Sequence, residues 1–167
     1  MRFLMALALG LFVAACSSSQ QAGTDASGTG TTGTGTTGQV SGPPPGTQAE
    51  LNQTIGDRVF FDFDRYTIRP DMQGTVSAWA QWMKNNPGVS ILVEGHADER
   101  GTRDYNYALG ARRSHEVKMA LVAMGVDGSR IETTTFGKDR PAVMGSNEAA
   151  WAKNRRAVVV VSQGPSA

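Results

Sequence analysis

The chain is poor in the residues that catalysis and covalent cross-linking use most. Its single cysteine, Cys16, has no partner for an internal disulfide. Its two histidines, His96 and His115, have no nucleophile motif such as G-x-S-x-G nearby, so a hydrolase that works through an activated Ser or Cys is not predicted. The 16 basic and 15 acidic residues nearly cancel, which argues against bulk electrostatic binding to nucleic acid.

Long hydrophobic runs are also missing. The longest one, residues 3–13, is shorter than the ~20 apolar residues that a transmembrane helix needs. It follows Arg2 and precedes two alanines, an arrangement typical of a secretory signal, which we place at residues 1–15. The stretch LFVAAC resembles a bacterial lipoprotein signal, which implies lipidation of Cys16 and durable anchoring by several acyl chains. By the same resemblance, Ser17 in place of Asp favours the periplasmic face of the outer membrane.

Small and polar residues dominate the next segment, residues 16–49, which includes the repetitive stretch GTGTTGTGTTG. Such a composition has too little apolar surface to offset the conformational entropy of the chain. We therefore predict a flexible tether, stiffened only at the three prolines of residues 43–45. The tether leads to a globular domain predicted at residues 50–163, and residues 164–167 form a short tail.

Within that domain, apolar, β-branched or alternating runs predict four strands. The runs span residues 58–63, 90–94, 131–135 and 157–161. The last one contains AVVVV, which is apolar on both faces and is typical of a strand in the centre of a sheet.

Apolar residues at helical spacing predict helices between these strands. The helical patterns lie within residues 70–88, 103–125 and 147–153. In the second, Asp104 suits the N-cap and Gly125 the position just past the last turn. The order β-α-β-α-β-(α)-β predicts an α/β sandwich (α+β), in which helices cover one face of a four-stranded sheet.

Charged side chains crowd the segment that follows the strand at residues 90–94. Asp98 lies on the loop at the carboxyl end of that strand, where ligands tend to bind in α/β sheets. Arg113 lies on the next helix, on the face that also carries Asn106 and Leu109. A carboxylate and a guanidinium together suit a zwitterion such as an amino-acid head. The residues alone equally allow Asp98 and Arg113 to pair with each other.

A metal site is a second interpretation of the same turn. His96, Asp98 and Glu99 offer nitrogen and oxygen ligands, and a metal-dependent hydrolase would follow from them. Against it, no H-E-x-x-H motif or second ligand set accompanies the cluster, and the adjacent Arg100 would oppose a cation. We therefore predict a binding protein that is not an enzyme and needs no cofactor.

Three stretches carry a more specific pattern: FFDFDRYTIRP, VEGHADERGTRDYNYALGARRSHEVKMAL and FGKDRPAVMGSNEAAWAKNRRAVVVV. They resemble the OmpA-like peptidoglycan-binding domain family over residues 57–162. Residues 106–113 match the family motif N-x-x-L-S-x-x-R, with Gly110 in place of Ser. The segments GHADERG and NRRAV are typical of the family's lipid-anchored branch, the peptidoglycan-associated lipoproteins of the Tol-Pal system.

The resemblance implies a mixed sheet and a ligand, the meso-diaminopimelate of the peptidoglycan stem peptide. The side chain of this residue ends in an ammonium and a carboxylate on one carbon. The resemblance implies that Asp98 accepts from the ammonium and that Arg113 binds a carboxylate. It places the remaining ligand-binding residues at Phe63, Asp64, Asn106 and Leu109. The roles of four further charged residues stay open: His96, Glu99, Arg155 and Arg156.

The resemblance also implies a biological role. It predicts a protein that joins the outer membrane to the cell wall without covalent chemistry, supporting envelope integrity and outer-membrane invagination during cell division. TolB and other Tol proteins are the implied protein partners. The alternative from the residues is a metal-dependent peptidoglycan hydrolase that uses the cluster of His96, Asp98 and Glu99.

Overall fold

The structure is a computed structural model that describes residues 42–164. The predicted signal peptide, the predicted lipidation site Cys16 and residues 17–41 of the tether lie outside the described residues, as do residues 165–167 of the tail. Within residues 42–164, no helix has the length and apolar character needed to cross a membrane.

Helices and strands alternate along the described part of the chain. The helices are α1 (Gln48–Thr54), α2 (Gln73–Asn85), α3 (Arg103–Ala123) and α4 (Glu148–Asn154). The strands are β1 (Arg58–Phe60), β2 (Ser90–His96), β3 (Ile131–Gly137) and β4 (Arg156–Gln163). Short 3₁₀ turns at Pro70–Met72 and Gly128–Arg130 precede α2 and β3.

The strands form one mixed sheet in the order β1-β4-β2-β3. β2 and β3 are parallel and are connected through α3, whereas β4 runs antiparallel to both β1 and β2. β4 therefore lies inside the sheet, as its continuous apolar run predicts. The α+β class with a four-stranded mixed sheet is confirmed.

The hydrophobic core lies between one face of this sheet and the helices α1, α2 and α3. The strands contribute Val59, Ile91, Val93, Ile131 and Val159. The helices contribute Leu51, Val76, Trp79, Met83, Val117 and Leu121. Alternate strand residues such as Leu92 and Val158 face the other side of the sheet and are half-buried.

Three local features differ from the sequence-based predictions. Helix α1 was not predicted; Thr47 caps it and Leu51 anchors it in the core. Strand β1 ends at Phe60, because the following residues leave the sheet to form a loop. The N-cap of α3 is Thr102, whose hydroxyl accepts from the Tyr105 N–H, and Asp104 lies inside the first turn. The prediction for Gly125 is correct, since it follows the C-cap of α3 with φ 87°.

Two glycines let α3 approach the sheet closely at the end of β2. A Cβ atom on Gly95 would overlap the carbonyl oxygen of Gly110, and one on Gly110 would overlap the Thr135 hydroxyl. The Thr135 hydroxyl lies 3.2 Å from the carbonyl oxygens of both Gly95 and Tyr107, so it joins β3 to β2 and α3 at this point. The missing side chains therefore set how deeply α3 lies against the strand end.

We predict that Gly95→Ala lowers the free energy of unfolding by about 3 kcal/mol or more, because the added methyl meets main-chain atoms that have no room to retreat. Gly74→Ala is the matched control. It adds a methyl in α2 where no atom lies within 4 Å, and should stabilise the fold by up to about 1 kcal/mol. Urea unfolding measures both. Equal stability of Gly95→Ala and the unmodified protein would show that α3 is not held by this contact.

Candidate functional site

A cavity of about 190 Å³ opens at the carboxyl end of β2. Its walls are the loop after β1, the loop between β2 and α3, and the first turns of α3. Its lining residues are Phe63, Asp64, Asp98, Arg100, Gly101, Tyr105, Asn106, Leu109 and Arg113. All six ligand-binding residues proposed from the sequence thus lie around one cavity, joined by Arg100, Gly101 and Tyr105, which sequence reasoning did not propose.

The acidic centre of the cavity is Asp98, which is 4% exposed. Its carboxylate accepts three hydrogen bonds from Arg100, one from the main-chain N–H at 3.1 Å and two from the guanidinium at 3.2 and 2.6 Å. A longer bond of 3.4 Å comes from Nη1 of Arg155. Burial opposes the ionised form, but the hydrogen bonds from Arg100 outweigh it and hold the pKa of Asp98 below its usual value.

The position of Arg100 in the cavity was not predicted from the sequence, which indicated it only as a charge unfavourable to a metal. Its guanidinium carbon lies 3.9 Å from the centre of the Phe63 ring and 4.1 Å from that of the Trp151 ring. Aromatic faces attract a guanidinium electrostatically. Arg100 is therefore held between two rings while it pairs with Asp98.

Arg113 forms the basic side of the cavity and has no solvent-exposed surface. Its Nε donates to the carbonyl of Arg65 at 2.8 Å, Nη1 to that of His96 at 2.7 Å, and Nη2 to that of Asp62 at 3.2 Å. Burial lowers its pKa to about 10, so it remains protonated at neutral pH. Two of its five N–H groups are not needed for these bonds.

Asp98 and Arg113 do not pair with each other. Among the ion pairs within 4.0 Å in residues 42–164, Asp98 is joined to Arg100 and Arg155. Arg113 instead uses main-chain carbonyls as its acceptors. The cavity is therefore not closed by the direct pair that the sequence allowed.

The face of α3 towards the cavity combines a polar clamp with an apolar surface. Asn106 is 2% exposed, and its amide donates to the carbonyls of Arg100 at 2.8 Å and Thr102 at 3.0 Å. This fixes the loop that carries Arg100 and Asp98. Leu109, one turn further along, is buried and lines the cavity.

The opposite wall is the loop that contains Phe63 and Asp64. Phe63 is 57% exposed, and Asp64 has φ 55°, a left-handed conformation that non-glycine residues adopt infrequently. The Tyr105 hydroxyl donates to the Asp64 carboxylate. This hydrogen bond raises the pKa of Tyr105 and connects the loop to the start of α3 across the cavity mouth.

Three charged residues whose roles the sequence left open occupy different positions. Arg155 is buried behind Asp98, donating also to the Phe61 carbonyl at 3.0 Å and to Glu148 at 2.5 Å. Glu99 is exposed and accepts from the indole of Trp151 at 3.0 Å. Arg156 donates to main-chain carbonyls outside the cavity lining.

His96 is buried and does not line the cavity, although its carbonyl accepts from Arg113. Neither ring nitrogen has a hydrogen-bond partner in the described part of the chain. Within residues 42–164, no group of three or more His, Cys, Asp or Glu side chains is arranged to hold a metal ion. The cluster of His96, Asp98 and Glu99 considered from the sequence is thus not assembled as a ligand set.

Comparison with known proteins places this chain in a family. The OmpA family matches residues 60–155, more than half of the chain. The peptidoglycan-associated lipoprotein of Rhizobium meliloti is 42% identical over 95% of this chain and 86% of its own length. The chain belongs to the OmpA family and, within it, to the peptidoglycan-associated lipoproteins. The family resemblance inferred from its motifs is therefore confirmed.

Solved structures agree with this family assignment. The crystal structure of the peptidoglycan-associated lipoprotein from Burkholderia pseudomallei has a TM-score of 0.62 and 42% identity, covering 64% of this chain and 90% of that one. The C-terminal domain of Helicobacter pylori MotB has a TM-score of 0.59 at 24% identity over 64% of this chain and 84% of that one. That second likeness shows a shared OmpA-family fold alone.

Because His96 is buried, we predict that the folded protein loses stability in mild acid. Burial, with the charges of Arg156 and Arg140, lowers its pKa from 6.5 to about 4. As the pH falls below 6.5, the imidazole of the unfolded chain takes up a proton while the folded one stays neutral down to about 4. The contribution of neutral His96 to the free energy of unfolding is thus complete above pH 6.5 and is lost as the pH falls from 6.5 to 4.

We expect this titration to remove roughly 2–3 kcal/mol of unfolding free energy between pH 7.5 and 4.5. Urea unfolding of His96→Leu should show a pH dependence smaller by most of that amount. The control is His115→Leu, which changes the exposed histidine of α3 and should keep the full pH dependence. An unchanged pH dependence in His96→Leu would show that the titration of His96 does not cause the loss of stability.

Proposed function

We propose that this chain is an outer-membrane lipoprotein that binds peptidoglycan non-covalently through the cavity at the end of β2. The observation that carries the proposal is the placement of a buried carboxylate, Asp98, and a buried guanidinium, Arg113, around one small cavity. Membership of the peptidoglycan-associated lipoproteins supports the choice of polymer.

The cavity suits the head of meso-diaminopimelate. Its volume of about 190 Å³ is below the roughly 300–1,000 Å³ of pockets that enclose a drug-sized molecule, so it accepts the end of a side chain rather than a disaccharide. We propose that Asp98 accepts from the ammonium of this head and that the unused N–H groups of Arg113 bind its carboxylate. Phe63 and Asp64 then form one wall, while Asn106 and Leu109 form the other.

The segments outside the described residues complete the proposal. Lipidated Cys16 anchors the chain on the periplasmic face of the outer membrane, and the tether between it and the domain spans at most about 100 Å when extended. Many weakly binding copies on one polymer produce a strong overall attachment. We propose that this attachment supports envelope integrity and outer-membrane invagination at division, with TolB and other Tol proteins as partners.

The structure favours binding over hydrolysis. Asp98 is engaged by Arg100 and Arg155, and the His96 ring is outside the cavity lining, so the described residues do not place a metal-ligand set where a wall peptide would lie. Incubation of the lipid-free chain with sacculi separates the two functions. Co-sedimentation without released fragments supports a binder, whereas fragment release that EDTA abolishes would establish the metal-dependent hydrolase.

Loss of the carboxylate of Asp98 or of the guanidinium of Arg113 should weaken binding to sacculi. We predict that Asp98→Asn and Arg113→Lys each lower the affinity about tenfold or more, since a charge-assisted bond contributes about 1.5–3 kcal/mol. Arg113→Lys is preferred to alanine because Arg113 also holds three main-chain carbonyls. The measurement is co-sedimentation with sacculi at a series of protein concentrations.

The matched control is Asp139→Asn, which removes a carboxylate that pairs with Arg103 outside the cavity lining. It should sediment like the unmodified protein. Thermal unfolding of every variant separates loss of binding from loss of fold. If folded Asp98→Asn and Arg113→Lys both sediment normally, the proposed site is wrong.

The role of Arg113 also predicts a preference between cell walls. Sacculi with lysine at the third position of the stem peptide lack the second carboxylate, so they should bind at least about tenfold more weakly than diaminopimelate-type sacculi. Competition between the two wall types for a fixed amount of protein measures the preference. Equal competition would rule out recognition of the carboxylate.

A further inference from the structure

The carboxylate that the proposed ligand needs is already occupied by a cation from the same chain. Arg100 donates to both oxygens of Asp98 through its side chain, and the shorter of these two bonds is 2.6 Å. Its main-chain N–H adds a third bond. Arg155 takes a further acceptor position from the buried side. An ammonium group that enters the cavity therefore finds the acceptors of Asp98 already used.

Arg100 covers the carboxylate of Asp98, but its own side chain is not fully buried. Phe63 and Trp151 lie on either side of its guanidinium at 3.9 and 4.1 Å. Its side chain nevertheless keeps 30% of its surface exposed, so Arg100 is the solvent-facing member of the pair, in which the Asp98 side chain is 5% exposed. Because the carboxylate of Asp98 is buried, a ligand can displace Arg100 only by placing another cation against that carboxylate in its stead.

An alternative partner for Arg100 lies on the solvent side. Oε2 of Glu148, on α4, is 4.0 Å from Nη2 of Arg100, and the Glu148 side chain is 63% exposed. The main chain at Arg100 is fixed by Asn106, which donates to its carbonyl at 2.8 Å. Only the side chain of Arg100 has to rotate for the guanidinium to leave Asp98 and remain beside a carboxylate.

We propose that Arg100 is a built-in competitor cation, which occupies the ammonium position of the cavity and has to be displaced from Asp98 by the ammonium of the ligand. The proposal rests on the proposed function, since it assigns a residue to the ammonium side of that site. It makes Arg100 a determinant of selectivity. A ligand that offers only a carboxylate cannot replace the bonds from Arg100 to Asp98, whereas a zwitterionic head replaces them and reaches Arg113 at the same time.

With an internal competitor, the apparent association constant is the intrinsic one multiplied by the fraction of molecules in which the competitor does not occupy the site. Arg100→Gln should therefore bind a soluble stem peptide ending in meso-diaminopimelate about threefold or more tightly than the unmodified protein. Arg103→Gln is the matched control, since it removes an exposed arginine that pairs with Asp139 and does not line the cavity. Its affinity should stay unchanged in isothermal titration calorimetry.

A second variant weakens the hold on Arg100 without changing Arg100 itself, although it also removes the hydrogen bond from the Trp151 indole to Glu99 of the same loop. Trp151→Leu removes one of the two rings that hold Arg100 and leaves all partners of Asp98 in place. It should also tighten binding, by a smaller factor. The opposite result, weaker binding by both Arg100→Gln and Trp151→Leu, would show that Arg100 contacts the ligand directly, and would overturn the proposal. Unchanged affinity in both would overturn it too.

Asp98→Asn separates this proposal from the proposed function. If Asp98→Asn no longer binds the stem peptide and Arg100→Gln binds it more tightly, both stand. If Asp98→Asn no longer binds and Arg100→Gln binds more weakly, the cavity is the site but Arg100 is not a competitor. If Asp98→Asn binds normally, the site itself is wrong and the role of Arg100 falls with it.

Discussion

The guanidinium of Arg113 lies where three parts of the fold meet, and the geometry of the cavity depends on it. It donates to carbonyl oxygens of Asp62 and Arg65 in the loop after β1, and to that of His96 at the end of β2. A buried cation is costly unless its donors are satisfied. The loop and the strand end therefore stay in place around α3. The charge that is proposed to bind the ligand also holds the walls of its site.

A second constraint is charge balance around Asp98. Arg155 lies behind this carboxylate and Arg100 in front of it, and Glu148 accepts from Arg155 at the rim. The alternation of charges keeps a buried carboxylate ionised in spite of its burial. In the proposed site, binding of a ligand ammonium at Asp98 is therefore an exchange of cations. The affinity of such a site reflects the difference between two partners rather than the strength of one.

Much of the fold could be predicted from local patterns. Apolar runs indicated the strands, and AVVVV indicated that β4 is internal, because residues buried on both faces of a sheet have to be apolar throughout. Element ends were less predictable. Both Thr102 and Asp104 can cap a helix, and in the structure it is the Thr102 side chain that accepts from the N–H three residues further on. Helix α1 is short, and its core contact comes from the single residue Leu51.

The sequence by itself determined the chemistry of the candidate site. Asp98 follows a strand, where ligands tend to bind in α/β sheets, and the helical spacing of Asn106, Leu109 and Arg113 puts these three residues on one face of α3. Only the tertiary structure decided how the charges are paired. Arg100 meets Phe63 and Trp151, which are distant from it in the chain, so no local pattern could indicate that contact. Charges pair with whatever partner the folded chain brings nearest, and that distance is a property of the packed structure.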